Sequence, residues 1–564
     1  MTQNMFCFQC EEAAKNEACT ISGVCGKTPE VANLQDLLVW LLKGVAFWGT
    51  RARKNLDIVD RATDLFVAEA LFATVTNVNF DPERFVVWVQ EAVERRDVLR
   101  ARAQARCAAL HGSEACATAD LPEHAVWTPK TYAPRALTMK GRLVGILADP
   151  ELDPDIRSLR ELLIYGLKGM AAYTEHAYVL EHSSDDILAF IQEALDATTD
   201  DGLTAEDLVT LVLKTGEMGV EAMRLLDEAN TGAYGIPEPT LVELGVRPGP
   251  AILVSGHDLH DLGELLAQTE GKGINVYTHG EMLPANAYPA FKQHRHFVGN
   301  YGGSWWRQRE EFEAFGGAIL MTTNCLVAPK DSYKERLFTT GLVGWPEVAH
   351  IADREPGAQK DFSPVIDAAL AGDEPQALES GQIPIGYAHA TVMSVADQVI
   401  EAVQSGDIAR FVVMAGCDGR SVSRDYFTDV AEALPQDCVI LTAGCAKYRY
   451  NKLGLGKVGG IPRVLDAGQC NDSYSLAYIA LQLKAALGLE DINELPISYD
   501  IAWYEQKAVL VLLALLSLGV KHIRLGPQLP AFLSPGVTEV LVKHFDIKPI
   551  STVEADVAAI SAGV

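Results

Sequence analysis

Four cysteines in the second half of the 564-residue chain share one local context. Cys325 closes AILMTTNC, Cys417 closes FVVMAGC, Cys445 closes VILTAGC and Cys470 closes RVLDAGQC. Each follows a short, apolar, partly β-branched run and precedes a polar or Gly-containing turn, which reads as a buried strand ending in a loop. Ligands of open α/β sheets bind outside the carboxyl ends of the strands, so four thiols at four such ends can converge on one metal. A single buried cysteine is as a rule an inert small hydrophobe. The recurrence is what points to a shared site.

A second thiol set opens the chain, as Cys7, Cys10, Cys19 and Cys25 form a C-x2-C-x8-C-x5-C run. Compact four-thiolate runs hold iron–sulfur clusters or zinc. Zinc sites more often use two closely spaced pairs, and the uneven gaps fit a loop wrapped around a cubane; zinc and unrelated thiols are the alternatives. Harder donors accompany the strand-end cysteines: His257 after AILVSG, Glu281 after INVYTHG, and Glu505 in ISYDIAWYEQK. Thiolates suit iron–sulfur chemistry, while imidazole and carboxylate suit harder iron and oxygen-bridged metal. A site using both is part sulfide, part oxide. Singly these three residues decide nothing. His260 and His279 lie as close to strand ends, and Glu505, at a helix start, could simply favour the positive end of the helix dipole.

The elements that must position these groups are legible. In NLQDLLVWLLKGVAFW, Leu34, Leu37, Leu38, Leu41 and Leu42 mark one helix face. The pattern returns 125 residues later as SLRELLIYGLKGMAAY, with Lys43 and Lys168 in equivalent places. A second echo pairs FVVWVQEAV from Phe85 with ILAFIQEAL from Ile187. A duplicated helical bundle follows, with both lysines read as structural and residues 112–142 as an irregular, Pro-containing connection. After Gly235 the pattern becomes strand, helix, strand, a βαβ unit. A polar stretch, 353–382, precedes a last α/β block. The expected organisation is a helical domain over 1–232 carrying the N-terminal cysteine loop, an α/β domain over 233–372, and an α/β domain over 373–564 supplying most strand-end ligands.

The totals exclude several function classes. Lys and Arg number 47 against 75 Asp and Glu, a net charge of −28, which argues against nucleic acid or an anionic membrane as partner. Eleven cysteines are too sparse for a disulfide scaffold in a chain this long. Cys107 and Cys116 read as spare thiols. No basic-then-apolar leader opens the sequence, and the longest apolar run, 508–520, is too short to span a bilayer. Cytoplasmic residence is the expectation.

The segments FCFQCEEAAKNEACTISGVCGK, SGHDL, YTHGEMLPAN, NYGGSWW, TTNCLV, VVMAGCDGR, LTAGCAKYRYNKL, DAGQCNDSYS and SYDIAWYEQKAV resemble the hybrid-cluster proteins, also called prismane proteins or hydroxylamine reductases. The resemblance covers nearly the whole chain, and the short N-terminal spacing is similar to that of the class from strict anaerobes. It implies a mostly helical domain and two Rossmann-like α/β domains akin to those of carbon monoxide dehydrogenase. It implies a four-iron, four-sulfur cubane on Cys7, Cys10, Cys19 and Cys25. It also implies a hybrid cluster of four irons, two oxygens and two sulfurs on His257, Glu281, Cys325, Cys417, Cys445, Cys470 and Glu505, with Cys417 as a persulfide. Cys438 matches no ligand motif.

The activity that the resemblance implies is two-electron reduction of hydroxylamine to ammonia and water. Glu505, His257 and Lys507 are the candidate catalytic residues, Lys507 for proton delivery from its place two residues after Glu505. Rival readings are reduction of nitric oxide at the same site in nitrosative stress defence, a redox protein without turnover, and a nickel-containing carbon monoxide dehydrogenase-like enzyme. No GxGxxG fingerprint sits at a strand-to-helix turn, so a separate electron-donor protein is expected.

Overall fold

The structure is a computed structural model that describes residues 4–112, 121–355 and 357–563. Its first part is built from two like sets of three helices. Helices α1 (Pro29–Leu56), α2 (Arg61–Ala73) and α3 (Pro82–His111) have 28, 13 and 30 residues. After α4 (Pro134–Val144), helices α5 (Pro154–Val179), α6 (Asp185–Ala197) and α7 (Ala205–Tyr234) have 26, 13 and 30. α1 and α5 start alike, each with Pro in the first turn and a capping side chain, Thr28 or Asp153, accepting from the backbone N–H groups that a helix start leaves unpaired.

This order corrects the second sequence echo. It pairs α3 with α6, which differ more than twofold in length. The lengths pair α2 with α6, aligning Glu69-Ala70-Leu71 with Glu193-Ala194-Leu195 at a spacing of 193 − 69 = 124 residues, beside 125 for α1 and α5. The stretch read as an irregular connection contains α4, whose Gly141 lets it close onto the Asn33 carbonyl of α1. Cys107 is disulfide-bonded, so the spare-thiol expectation fails there; Cys116 lies outside the described residues.

Two six-stranded sheets follow, each wholly parallel. The first runs, edge to edge, Phe297–Asn300, Asn275–His279, Ala251–Ser255, Ala318–Met321, Leu337–Thr339 and Ala349–His350. The second runs Val464–Asp466, Cys438–Thr442, Arg410–Val413, Ile497–Ala502, Ile523–Gly526 and Lys548–Pro549. Strands such as Ala251–Ser255 and Cys438–Thr442 are buried at every position, as sheets covered on both faces require. An antiparallel pair, Thr240–Glu243 with Gln382–Ile385, ties the two α/β parts together.

The apolar run near the C-terminus forms the helix Gln506–Ser517, packed against α5 and α7. The approach is close: a β-carbon on Gly169 of α5 would stand 2.5 Å from the Gln506 carbonyl oxygen. That contact brings the segment carrying Glu505 and Lys507 onto the helical part. Among the described residues no helix is long and apolar enough to cross a membrane.

Candidate metal centres

The N-terminal loop folds its cysteines toward one another. Cys7 and Cys19 pair across an isolated antiparallel bridge, with Cys7 N donating to Cys19 O at 3.1 Å and Cys19 N to Cys7 O at 2.8 Å. Burial pushes the Cys10 thiol well up, and the charges of Cys25, Cys7, Glu12 and Cys19 push it further, so all four sulfurs lie within electrostatic reach. The buried Lys27 ammonium stands 4.0 Å from Cys7 Sγ. Burial also pushes the Cys25 thiol up; desolvated thiols resist ionisation unless a cation joins them, and this four-sulfur set fits an iron–sulfur cluster. The loop is pinned to the Glu505 segment by Glu11 N to Tyr504 O at 2.9 Å and Gln506 Nε2 to Gln9 O at 2.5 Å.

The second set forms where the carboxyl ends of the two sheets meet. Each cysteine follows its strand by three or four residues: 325 after 321, 417 after 413, 445 after 442 and 470 after 466. The turns between are tight. Gly416 and Gly444 have φ of 112° and 86°, and β-carbons there would stand 2.0 Å from Ala502 O and 2.3 Å from Gly416 O. Only glycine permits both the left-handed backbone and the close approach.

Donor atoms of His257, Glu281 and Cys470 lie within 4.8 Å of one another. His257 Nε2 is 3.6 Å from Glu281 Oε2, which accepts from Cys470 N at 2.8 Å. Glu281 Oε1 is buried and unpaired. His257 Nδ1 meets Thr323 Oγ1 at 2.9 Å, which fixes the ring and leaves Nε2 facing the site, the arrangement common to metal-binding histidines. Asn324 Nδ2 is 3.5 Å from both Cys325 Sγ and Glu505 Oε1. Cys325, Cys417 and Cys445 pack in one cluster with Trp305 and Tyr504. His257, Glu281 and Cys470 thus meet directly, and Cys325, Cys417, Cys445 and Glu505 stand close by.

Lys507 enters the middle of this set. Its Nζ is 3.1 Å from His257 Nε2, 2.9 Å from Asn324 Oδ1 and 3.6 Å from Glu505 Oε1. Burial disfavours its charge, but Cys470, Glu505, Cys325 and Glu281 overcome this and hold it protonated. Burial pushes the Cys470 thiol up to about 12 against the pull of Lys507. Cys325 and Cys445 are pushed well up by burial, with Glu505 and Glu281 respectively as their largest charged neighbours. One ammonium among two carboxylates and four thiols stands where metal cations balance the charge, so the donor set fits a metal cluster.

His279 and His260 stand outside the set. His279 is bonded to Glu311 at 2.9 Å and Ser255 at 3.0 Å, a satisfied core histidine, and His260 leans on Glu264 one turn along its helix at 3.4 Å. Sequence reasoning missed the supporting shell. Thr323, Asn324 and Gln469 stand beside the ligand cysteines in sequence, a signal that could have been used. Gln469 Nε2 donates to the carbonyls of His257 at 3.1 Å and Glu281 at 2.9 Å. His176 of α5 stacks on His257 with ring centres 6.0 Å apart and planes 14° apart; no sequence signal announces it.

This fold and these donors define a multidomain α and α/β protein with two metal-binding thiol sets. Residues 5–558 match the family described as Prismane/CO dehydrogenase, and the chain belongs to that family. It is 63% identical to the hydroxylamine reductase of Halothermothrix orenii over 99% of this chain and 100% of that protein. It is 60% identical to that of Nitratidesulfovibrio vulgaris, again over 99% and 100%. Carbon monoxide dehydrogenase IV from Carboxydothermus hydrogenoformans shares the fold, with a TM-score of 0.57 at 17% identity over 99% of this chain and 92% of that one.

Proposed function

We propose that this chain is a hydroxylamine reductase with a four-iron cubane on Cys7, Cys10, Cys19 and Cys25. A hybrid cluster would be held by His257, Glu281, Cys325, Cys417, Cys445, Cys470 and Glu505, with Cys417 carrying the extra sulfur that the resemblance implies. The observation that carries this reading is the meeting of His257, Glu281 and Cys470 within 4.8 Å. That meeting occurs in a chain that matches hydroxylamine reductases end to end. When bound, the clusters supply the two electrons that hydroxylamine takes up, with two protons, in becoming ammonia and water.

The chain's own residues supply the rest. Burial of His257, Glu281, Glu505 and Lys507 at 6%, 7%, 2% and 1% exposure keeps bulk water from the site. Thr323 orients the imidazole, and Cys470 N holds one oxygen of Glu281 so that the other stays free. Lys507 Nζ holds a proton within reach of the donors, where it can pass to the departing oxygen or nitrogen. Electrons arrive from a separate donor protein.

The test is anaerobic turnover with a reduced dye. One ammonia per hydroxylamine and two electrons is expected. Consumption of nitric oxide with no ammonia from hydroxylamine would move the function to nitric oxide reduction.

A further inference from the structure

The helical duplication brings equivalent acidic and basic residues to one cavity. Asp36 and Lys43 of α1 recur 125 positions later as Glu161 and Lys168 of α5. All four line a cavity of about 210 Å³ whose lining includes none of the strand-end donors. Lys27, Arg157 and Arg160 line it as well. Five basic side chains thus face Asp36, Glu161 and Asp149, and although Arg160 also pairs with Asp201 at 2.9 Å, positive charge is in local excess in a chain of net charge −28. Burial pushes the Asp36 carboxyl up to about 7 despite Lys27, and it also pulls Lys43 down and Lys168 down to about 8. Near neutrality charge of both signs is therefore weakened, and the lasting positive charge comes from Lys27, Arg157 and Arg160.

The lining also carries polar atoms without partners. Gln35 Nε2, Arg157 Nε and Arg160 Nε are buried and unpaired, as is His124 Nε2, while the Tyr165 hydroxyl meets the Glu161 carboxylate; all of these residues line the cavity. Gln35 and Tyr165 are only 4% and 2% exposed. The first three atoms can only donate. A buried donor left unpaired costs about 1–3 kcal/mol, so this many in one chamber point to an occupant rich in acceptors. Water would answer the hydrogen bonds but leave the charge; an anion answers both.

We propose that this cavity binds a small inorganic oxyanion of the phosphate or sulfate class. The occupant would lie between α1 and α5, beside Lys43 and Lys168. Lys168 Nζ donates to Gln9 Oε1 at 2.9 Å, and Cys7 forms part of the wall, so the occupant adjoins the N-terminal cysteine loop. An effect of the anion on a cluster's potential would rest on the cubane reading above; the binding site itself does not.

The experiment is isothermal titration of the intact, cluster-loaded protein with inorganic phosphate in a buffer free of oxyanions, repeated with sulfate. Saturable binding of one anion per chain is expected. Lys43→Gln and Arg160→Gln should each weaken it at least tenfold, while Lys214→Gln, on the exposed surface of α7, should leave it unchanged. Should Lys43→Gln not fold, Arg160→Gln, at a partly exposed position, carries the test. Absence of saturable binding to the wild-type protein would mean that ordered water fills the cavity and would overturn the proposal. So would equal affinity across the variants. Neither outcome touches hydroxylamine turnover.

Discussion

The Lys507 ammonium is aimed at the ring nitrogen of His257 that the fold leaves facing the site, with Nζ and Nε2 3.1 Å apart. The two come from different sheets and are 250 residues apart in sequence. Their meeting fixes the point where both α/β parts converge, and it puts a proton donor inside the donor set.

Lys507→Met should keep both clusters and the helix Gln506–Ser517, since only the side-chain tip is polar. Turnover of hydroxylamine should fall by about 10²–10⁴, the usual worth of a positioned proton donor. Iron analysis beside a steady-state assay checks this. Full iron with wild-type turnover would remove Lys507 from proton delivery.

Glu505 has two roles that one substitution separates. Its Oε2 accepts from Lys507 N at 2.7 Å, capping the helix, while Oε1 faces Lys507 Nζ and Asn324. Glu505→Gln retains a capping oxygen, so stability should fall by at most about 1 kcal/mol. An amide is a far poorer ligand for iron than a carboxylate. The variant should therefore fold, keep the N-terminal cubane, and lose most turnover along with the hybrid cluster's paramagnetic resonance signal. An unchanged signal and rate would reduce Glu505 to a cap.

Asp500 gives a pH dependence away from both thiol sets. Burial pushes its carboxyl up to about 7; Arg524 opposes this and Asp556 adds to it. A hydrogen bond from Tyr426 also opposes the shift. The folded protein holds the proton more tightly than the unfolded chain, so stability falls as pH climbs from about 4 to about 7 and levels off above. Asp500→Asn has no proton to lose. Its stability relative to wild type should rise by about 2–3 kcal/mol between pH 5 and pH 8, read by denaturant titration at both values. A constant difference would contradict it.

Much of the site is legible because strand ends have a sequence signature. An apolar β-branched run followed by a glycine just before the donor marks His257, Glu281, Cys417 and Cys445. The helix face of α1 and its copy in α5 are equally plain, since leucines at helical spacing have no other use. The α2 and α6 pair is harder: both are short, and the shared Glu-Ala-Leu is too common a triplet to outweigh a longer accidental match. His176 escapes because a helix delivers it from the other half of the protein, and pattern along the chain carries no information on that approach. The charged cavity is hidden for the same reason, although its four repeated residues lie within an echo that is itself obvious.

The most direct measurement is the iron content of the protein purified without oxygen. Two four-iron clusters, one on the N-terminal loop and one at the sheet ends, require about eight irons per chain. About four irons in a fully loaded preparation, or zinc as the main metal, would contradict the two-cluster account.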